Sequence, residues 1–254
     1  MTRLRLCLDD VDGHPALDTA IARVLLERVD AGELPATLRL SRPARLVAFS
    51  SRDARTPGFD RAVEASQAAG FAPVVRLAGG RPAVFTPSTI AFAWSIPAEQ
   101  PTAGIGERFE VLSSCLVEAL LSLGLDARVG EVPGEYCPGS SSVNLAGTRK
   151  VAGVGQRLLR RAAHTGGVVV VDDAAAINRV LTPVYAALGL SFDPAVTGQL
   201  RSPGRAVTFE DARQAIAAAF GRHHELEPWR LDAETLARAE ASLDHHLPAR
   251  QRRR

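Results

Sequence analysis

The sequence predicts an α+β protein, and three observations carry that prediction. Short runs of alternating polar and apolar residues are separated by turn residues, the pattern of strands joined in hairpins. Helical runs interrupt those strands without the regular βαβα alternation of a doubly wound sheet. The run Gly167-Val168-Val169-Val170-Val171 has the unbroken hydrophobicity of a central strand. With 254 residues, 46% of them hydrophobic, the chain is long enough to bury a substantial core.

Taken in order, residues 3–8 alternate charged and apolar side chains and read as a strand. Residues 15–29 form an amphipathic helix: Leu17, Ile21, Leu25 and Leu26 recur at helical spacing, and Pro15 suits the first turn. Strands follow at 37–40 and 44–49, parted by Ser41-Arg42-Pro43, then a helix at 59–69 that Gly70 stops. A strand at 73–77 leads into Ala78-Gly79-Gly80-Arg81. Residues 83–85 and 90–96, divided by Thr86-Pro87-Ser88, read as a hairpin. The helix at 107–123 places Phe109, Leu112, Leu116 and Leu120 on one face, which assigns Cys115 to packing. After a strand at 127–129 the Gly-, Pro- and Ser-rich residues 130–142 form a loop. Residues 142–145 and 149–159 then pair across Ala146-Gly147-Thr148, and the core sheet is expected to end with 167–171.

Helices are expected at 174–188, with Pro183 as a possible break, from Phe209 through Phe220 behind a Thr208 cap, and at 232–247. This divides the chain into a main domain, 1–194, and a small helical extension, 195–254.

A formal net charge of +2 lacks the concentrated basic face of a nucleic-acid binder. The terminal Arg250-Gln251-Arg252-Arg253-Arg254 is expected to be a solvated tail. Three cysteines, with no CxxC pair, argue for reduced thiols rather than disulfides or a zinc knuckle. No apolar block resembles a signal peptide or a membrane span, so the expected location is cytoplasmic, with no membrane partner. Adjacent histidines, as in His223-His224 and His245-His246, diverge by about 100° on a helix, which leaves no metal site expected.

Lys150 is the only lysine among 30 lysines and arginines. Either it survived by drift in an arginine-biased chain, or its position needs a compact ammonium rather than a planar guanidinium. It follows Cys137 by thirteen positions. Cys137 lies in the Gly/Pro loop, where a thiol is accessible; a nearby cation would favour the thiolate, the nucleophilic form. The residues alone leave open whether Cys137 is a nucleophile or a loop cysteine without a role.

Four segments narrow the choice: Gly134-Glu135-Tyr136-Cys137-Pro138-Gly139, Ser142-Val143-Asn144-Leu145-Ala146-Gly147, Lys150-Val151-Ala152-Gly153-Val154-Gly155-Gln156-Arg157 and Gly166-Gly167-Val168-Val169-Val170. Together they resemble the lipoate ligase and octanoyltransferase family, within it the cysteine-dependent octanoyl-[glycine-cleavage H protein]:protein octanoyltransferases. The resemblance covers at least residues 77–171. It implies a mixed β-sheet flanked by helices, the fold shared with biotin protein ligases, and an acyl transfer that needs no cofactor. It further implies that Cys137 carries the acyl group as a thioester and that Lys150 contacts the acyl carbonyl. Gly79, Gly80 and Arg76 would belong to the acyl-binding loop, and Gly153 and His164 to the substrate site. Octanoylated or lipoylated lipoyl-domain proteins, the glycine-cleavage H protein and 2-oxoacid dehydrogenase E2, would be the partners.

Val151, Val154, Val168 and Val170 are the residues considered for lining an acyl tunnel, against an ordinary core role. The chain departs from the ATP-dependent ligases of the family, which have a richer glycine loop and an Asn-Asp segment in place of Tyr136-Cys137-Pro138-Gly139. An ATP-dependent ligase and a non-catalytic lipoyl-domain binder are the alternative readings.

Overall fold

The structure is a computed structural model that describes residues 2–202, 204 and 206–252; Arg253 and Arg254 of the expected solvated tail lie outside it. Of the rest of that tail, Arg250 pairs with Asp60 at 2.7 Å.

The alternating runs of the sequence become two sheets. The larger contains β1 (Thr2–Cys7), β2 (Thr37–Ser41), β6 (Thr89–Pro97), β7 (Ala127–Val129), β8 (Val143–Leu145), β9 (Arg149–Leu158), β10 (Ala162–Val170) and β11 (His224–Pro228). Its order is β11-β1-β2-β6-β10-β9-β8-β7, parallel within β11-β1-β2 and antiparallel elsewhere. The smaller sheet is β4 (Ala72–Val75), β3 (Leu46–Phe49) and β5 (Ala83–Phe85), with β3 in the middle. Mixed sheets flanked by helices were expected, and the architecture agrees.

Each face of the large sheet has its own cover. On one face Leu38, Leu40, Ile90, Phe92 and Trp94 meet α3 (Ile105–Ser122) and α5 (Phe209–Gly221) in the largest core cluster, which includes Cys115. The opposite face is covered by α1 (Leu17–Ala31), itself backed by α6 (Ala233–Ala241) through Ala239 and Leu236. The small sheet packs on α2 (Phe59–Ala68) and α4 (Ala174–Ala187), where Phe49 meets Phe59 edge to face at 5.2 Å. Pro183 does not break α4; Arg179, the residue four back, is exposed, so water can take its freed carbonyl.

Three expectations are corrected. Residues 83–85 and 90–96 do not pair with each other, for β5 pairs with β3 and β6 with β2 and β10. Thr86 and Thr89 explain this: they exchange hydrogen bonds across Pro87-Ser88 and turn the chain from one sheet to the other. The large sheet does not end at β10, because β11 adds to β1 at its edge. Its polar, half-exposed residues gave no core-strand signal. The last expected helix stops at Ala241 and continues as a 3₁₀ turn, Leu243–His246. At Thr208 the cap is a full capping box, with Thr208 and Asp211 each accepting from the other's backbone N–H. Residues beyond 195 thus supply α5 to the main core and β11 to the sheet.

Candidate functional site

Small residues open a cleft on the α1 side of the large sheet. Antiparallel register places Ala93, Gly166 and Gly155 in one row across β6, β10 and β9, and Ala91, Val168 and Gly153 in the next. Side chains this short leave room between the sheet, α1 and the small sheet. The result is an open cleft between them. Gly166 cannot gain a Cβ without meeting His164 and the Phe92 carbonyl. Val154 and Val168 line the cleft, whereas Val151 and Val170 pack into the core clusters.

A bulge brings Lys150 to this cleft. Val143 faces Ala152 but Asn144 faces Lys150, so β9 carries one extra residue at Val151. Without it, Lys150 and Gly153, three apart on a strand, would point to opposite faces. With it, both line the cleft, and a Cβ built on Gly153 would sit 3.4 Å from Lys150 Cε.

Lys150 is 1% exposed. Its ammonium donates to Glu135 Oε1 at 2.9 Å and to the carbonyls of Tyr136 at 2.9 Å and Cys137 at 2.7 Å. An ammonium has three donors, and these contacts occupy all of them. The ring of Tyr136 adds a cation–π contact at 4.9 Å.

Glu135, which the sequence did not single out, is the hub of the loop. Besides Lys150 it accepts from Val132 N at 3.0 Å, Gly139 N at 3.2 Å and Ser142 Oγ at 2.6 Å. Its only sequence signal was its place beside the Tyr-Cys-Pro-Gly segment. Buried carboxylates need such saturation, since an unpaired one would carry a large desolvation cost.

Cys137 rides on this clamp, half-buried, with φ 44°, a left-handed conformation rare for a residue with a Cβ. Its N–H donates to Tyr185 Oη at 2.8 Å, and that hydroxyl donates to the Pro82 carbonyl at 3.0 Å. Tyr185 was also missed, because it lies on α4, 48 residues away in sequence. The sulfur accepts from Arg81 N at 3.1 Å, and Arg76 Nη2 lies 3.9 Å from it. Arg76 is held by the carbonyls of Gly79 at 2.6 Å and Arg81 at 2.8 Å. The guanidinium beside the thiol is therefore that of Arg76, while Lys150 grips the backbone beneath it.

Gly80 has φ +99°, and a Cβ there would lie 2.8 Å from Cys137 Sγ and 2.7 Å from Arg76 Nη2. Only glycine lets this loop approach the sulfur so closely. Gly79 passes over the sheet: a Cβ on Gly155 would meet its carbonyl at 3.6 Å and Ala78 Cβ at 2.9 Å. His164 is buried in the cleft wall, with Nδ1 3.3 Å from Ser95 Oγ, and desolvation pushes its pKa down to about 4. Its imidazole is therefore neutral near pH 7. Of the residues singled out in the sequence, Cys137, Lys150, Arg76, Gly79, Gly153 and His164 line one cleft, and Gly80 abuts the cysteine sulfur.

Cys7 and Cys115 are buried and do not line the cleft, and burial pushes the Cys115 thiol up to about 11. No described helix is long and apolar enough to cross a membrane.

A profile of the lipoyl protein ligase A/B catalytic domain matches residues 14–221. An octanoyl-[GcvH]:protein N-octanoyltransferase of Geobacillus kaustophilus is 30% identical over 151 residues, 59% of this chain and 51% of that protein. A lipoyl-[GcvH]:protein N-lipoyltransferase of Listeria monocytogenes is 24% identical over 158 residues, 61% of this chain and 56% of that one. The chain thus spans about half the length of the curated relatives it matches. Among solved structures, a lipoate-protein ligase A bound with ATP superposes with a TM-score of 0.77 at 17% identity, covering 96% of this chain and 95% of that one. A bipartite lipoate protein ligase of Thermoplasma acidophilum, solved with its E2 lipoyl domain, gives 0.72 at 16% identity, with 96% and 93% covered. These similarities show a shared fold.

Proposed function

The chain belongs to the lipoyl protein ligase A/B catalytic-domain family, and we propose that it is a protein N-acyltransferase moving an octanoyl or lipoyl group onto a lipoyl-domain lysine through a Cys137 thioester. The observation that carries this reading is the setting of the sulfur. It sits at a mainly apolar cleft, with a backbone N–H at 3.1 Å and a guanidinium at 3.9 Å. Relatives named as transferases from the glycine-cleavage H protein support the same reading.

The chemistry splits one amide exchange into two acyl transfers. The sulfur attacks the acyl carbonyl of the donor; a C–S bond forms, the C–N bond breaks, and the thiol proton ends on the departing lysine amine. The acceptor's neutral amine then attacks the thioester, forming C–N and releasing the thiol. Arg76 stands where negative charge on sulfur or carbonyl oxygen would develop. Lys150 reaches such an oxygen only by releasing one of its three contacts, and the Cys137 carbonyl, part-buried and nearest the reacting atom, is the one to exchange. Tyr185 and Gly80 position the cysteine. Arg76, Gly79, Gly153 and His164 are the proposed acyl-site residues. The glycine-cleavage H protein is the proposed donor, and lipoyl domains, including those of 2-oxoacid dehydrogenase E2, the proposed acceptors.

The test is to incubate the purified chain with octanoylated or lipoylated H protein and an apo lipoyl domain, without ATP, and to follow protein mass. Transfer, together with an acyl adduct on the wild type that is absent from Cys137→Ser, is the expected result. Transfer that requires ATP and survives Cys137→Ser would establish a ligase instead.

A further inference from the structure

The N–H that meets the Cys137 sulfur is held from behind by a carboxylate outside the cleft. Arg81 N donates to Cys137 Sγ at 3.1 Å, and the loop that carries it joins β4 to β5. Three tethers fix that loop. Arg76 Nη2 donates to the Arg81 carbonyl at 2.8 Å, Tyr185 Oη donates to the Pro82 carbonyl at 3.0 Å, and Arg81 Nη1 donates to Asp53 Oδ1 at 3.4 Å. Arg76 and Tyr185 also contact Cys137; Asp53 does not, and it is not part of the cleft lining.

Asp53 has one oxygen free for its contact with Arg81. The side chain is fully buried, at the start of the 3₁₀ turn Asp53–Arg55. Its Oδ2 accepts from Ser50 N at 2.9 Å and from Ser50 Oγ at 2.8 Å, which leaves Oδ1 to the guanidinium. Ser50 directly follows β3, so the carboxylate is anchored to the middle strand of the small sheet. An amide cannot replace a group that accepts at both oxygens without turning its NH2 toward either Ser50 N–H or the guanidinium.

We infer that Asp53 is a positioning residue for Cys137: through Arg81 it keeps the N–H on the sulfur and so raises the share of the thiol held as thiolate. This deepens the acyl-transfer reading above and rests on it for the use made of that thiolate. The charge of Asp53 works the other way, since a carboxylate near a thiolate disfavours it. Position and charge therefore predict opposite results when the carboxylate is removed.

The test is the rate at which iodoacetamide alkylates Cys137, the one cysteine that is not buried, from pH 6 to pH 10 in the wild type and Asp53→Asn. Loosening the N–H is expected to cost about tenfold in thiolate at pH 7, the scale of one hydrogen bond to a charged acceptor. A thiolate without that bond is about threefold more nucleophilic, so the rate should fall about threefold at pH 7 and rise about threefold on the high-pH plateau. A rate that rises at pH 7 shows the carboxylate acting by charge alone, and equal falls at both ends show lost access or a disturbed fold. Either result overturns the inference, as does no change. Should Asp53→Asn not fold, Ser50→Ala decides it, because it removes one donor to Asp53 and alters no charge. The same crossed pattern is expected there, about twofold at each end, and parallel or absent changes refute the inference. Alkylation needs no acyl donor, so the crossed pattern in a chain whose wild type forms no acyl-enzyme would count against the transferase reading and leave this one standing.

Discussion

Replacing Lys150 by methionine tests whether its ammonium holds the cysteine loop together. Lys150 and Glu135 have side chains 1% and 0% exposed and lie 2.9 Å apart. Removing one partner of such a pair typically costs about 3–5 kcal/mol, because the other charge stays buried and uncompensated. Glu135 would keep Val132 N, Gly139 N and Ser142 Oγ as donors, so the lower end, about 3 kcal/mol, applies. For a chain of this size that lowers Tm by about 6–12 °C. The double variant Lys150→Met/Glu135→Gln removes the stranded charge and should recover part of the loss. Calorimetric melting at pH 7 reads both. A single-variant shift below about 2 °C, or a double variant no more stable than the single, would refute the clamp. Lys150→Arg keeps the charge but puts a wider, planar group into a site where the lysine is already 1% exposed, so it should cost about 1–3 kcal/mol as well as most of the transfer activity.

Three other outcomes are expected. Gly80→Ala drives a Cβ against Cys137 Sγ from a backbone of φ +99° and should abolish acyl-enzyme formation while the far-ultraviolet spectrum of the fold persists; normal adduct formation would show that the loop does not set the sulfur. Mild alkylation of the native chain should label Cys137 alone, with Cys7 and Cys115 reacting only after unfolding, and peptide mapping that finds Cys115 labelled first would contradict its burial. Burial holds both His164 and His246 down at about 4, so the unfolded chain binds protons near the ordinary 6.5 that the fold refuses. Their stabilising contribution is complete above pH 6.5 and is lost as pH falls toward 4, about 2 kcal/mol per histidine between pH 7 and pH 5. Urea unfolding of His164→Gln should show a correspondingly smaller loss over that interval, and an unchanged slope would exclude the effect.

Much of this was legible in the sequence because the signals are local. Helical spacing marked α1 and α3, Gly70 marked the stop of α2, and the apolar 167–171 run marked the end of a central strand. The Tyr-Cys-Pro-Gly segment and the lysine block pointed to the loop and strand that line the cleft. What those residues touch was not local. Glu135 and Tyr185 became visible only through contacts made in space, at Lys150 on another strand and at Cys137 across 48 positions.

By itself the sequence determined which chemistry-bearing groups exist: one accessible cysteine, one lysine, a paired-glycine loop and strands with small residues where a cleft could open. Tertiary structure decided how they act. A single extra residue in β9 turned Lys150 toward Gly153 and the cleft, since side chains alternate faces with a period of two and a bulge reverses that parity. Packing then spent the ammonium on Glu135 and two carbonyls and left Arg76 nearest the thiol. Spacing along a chain cannot specify either result, because both depend on which surfaces meet after the two sheets, α1 and α4 have closed on one another.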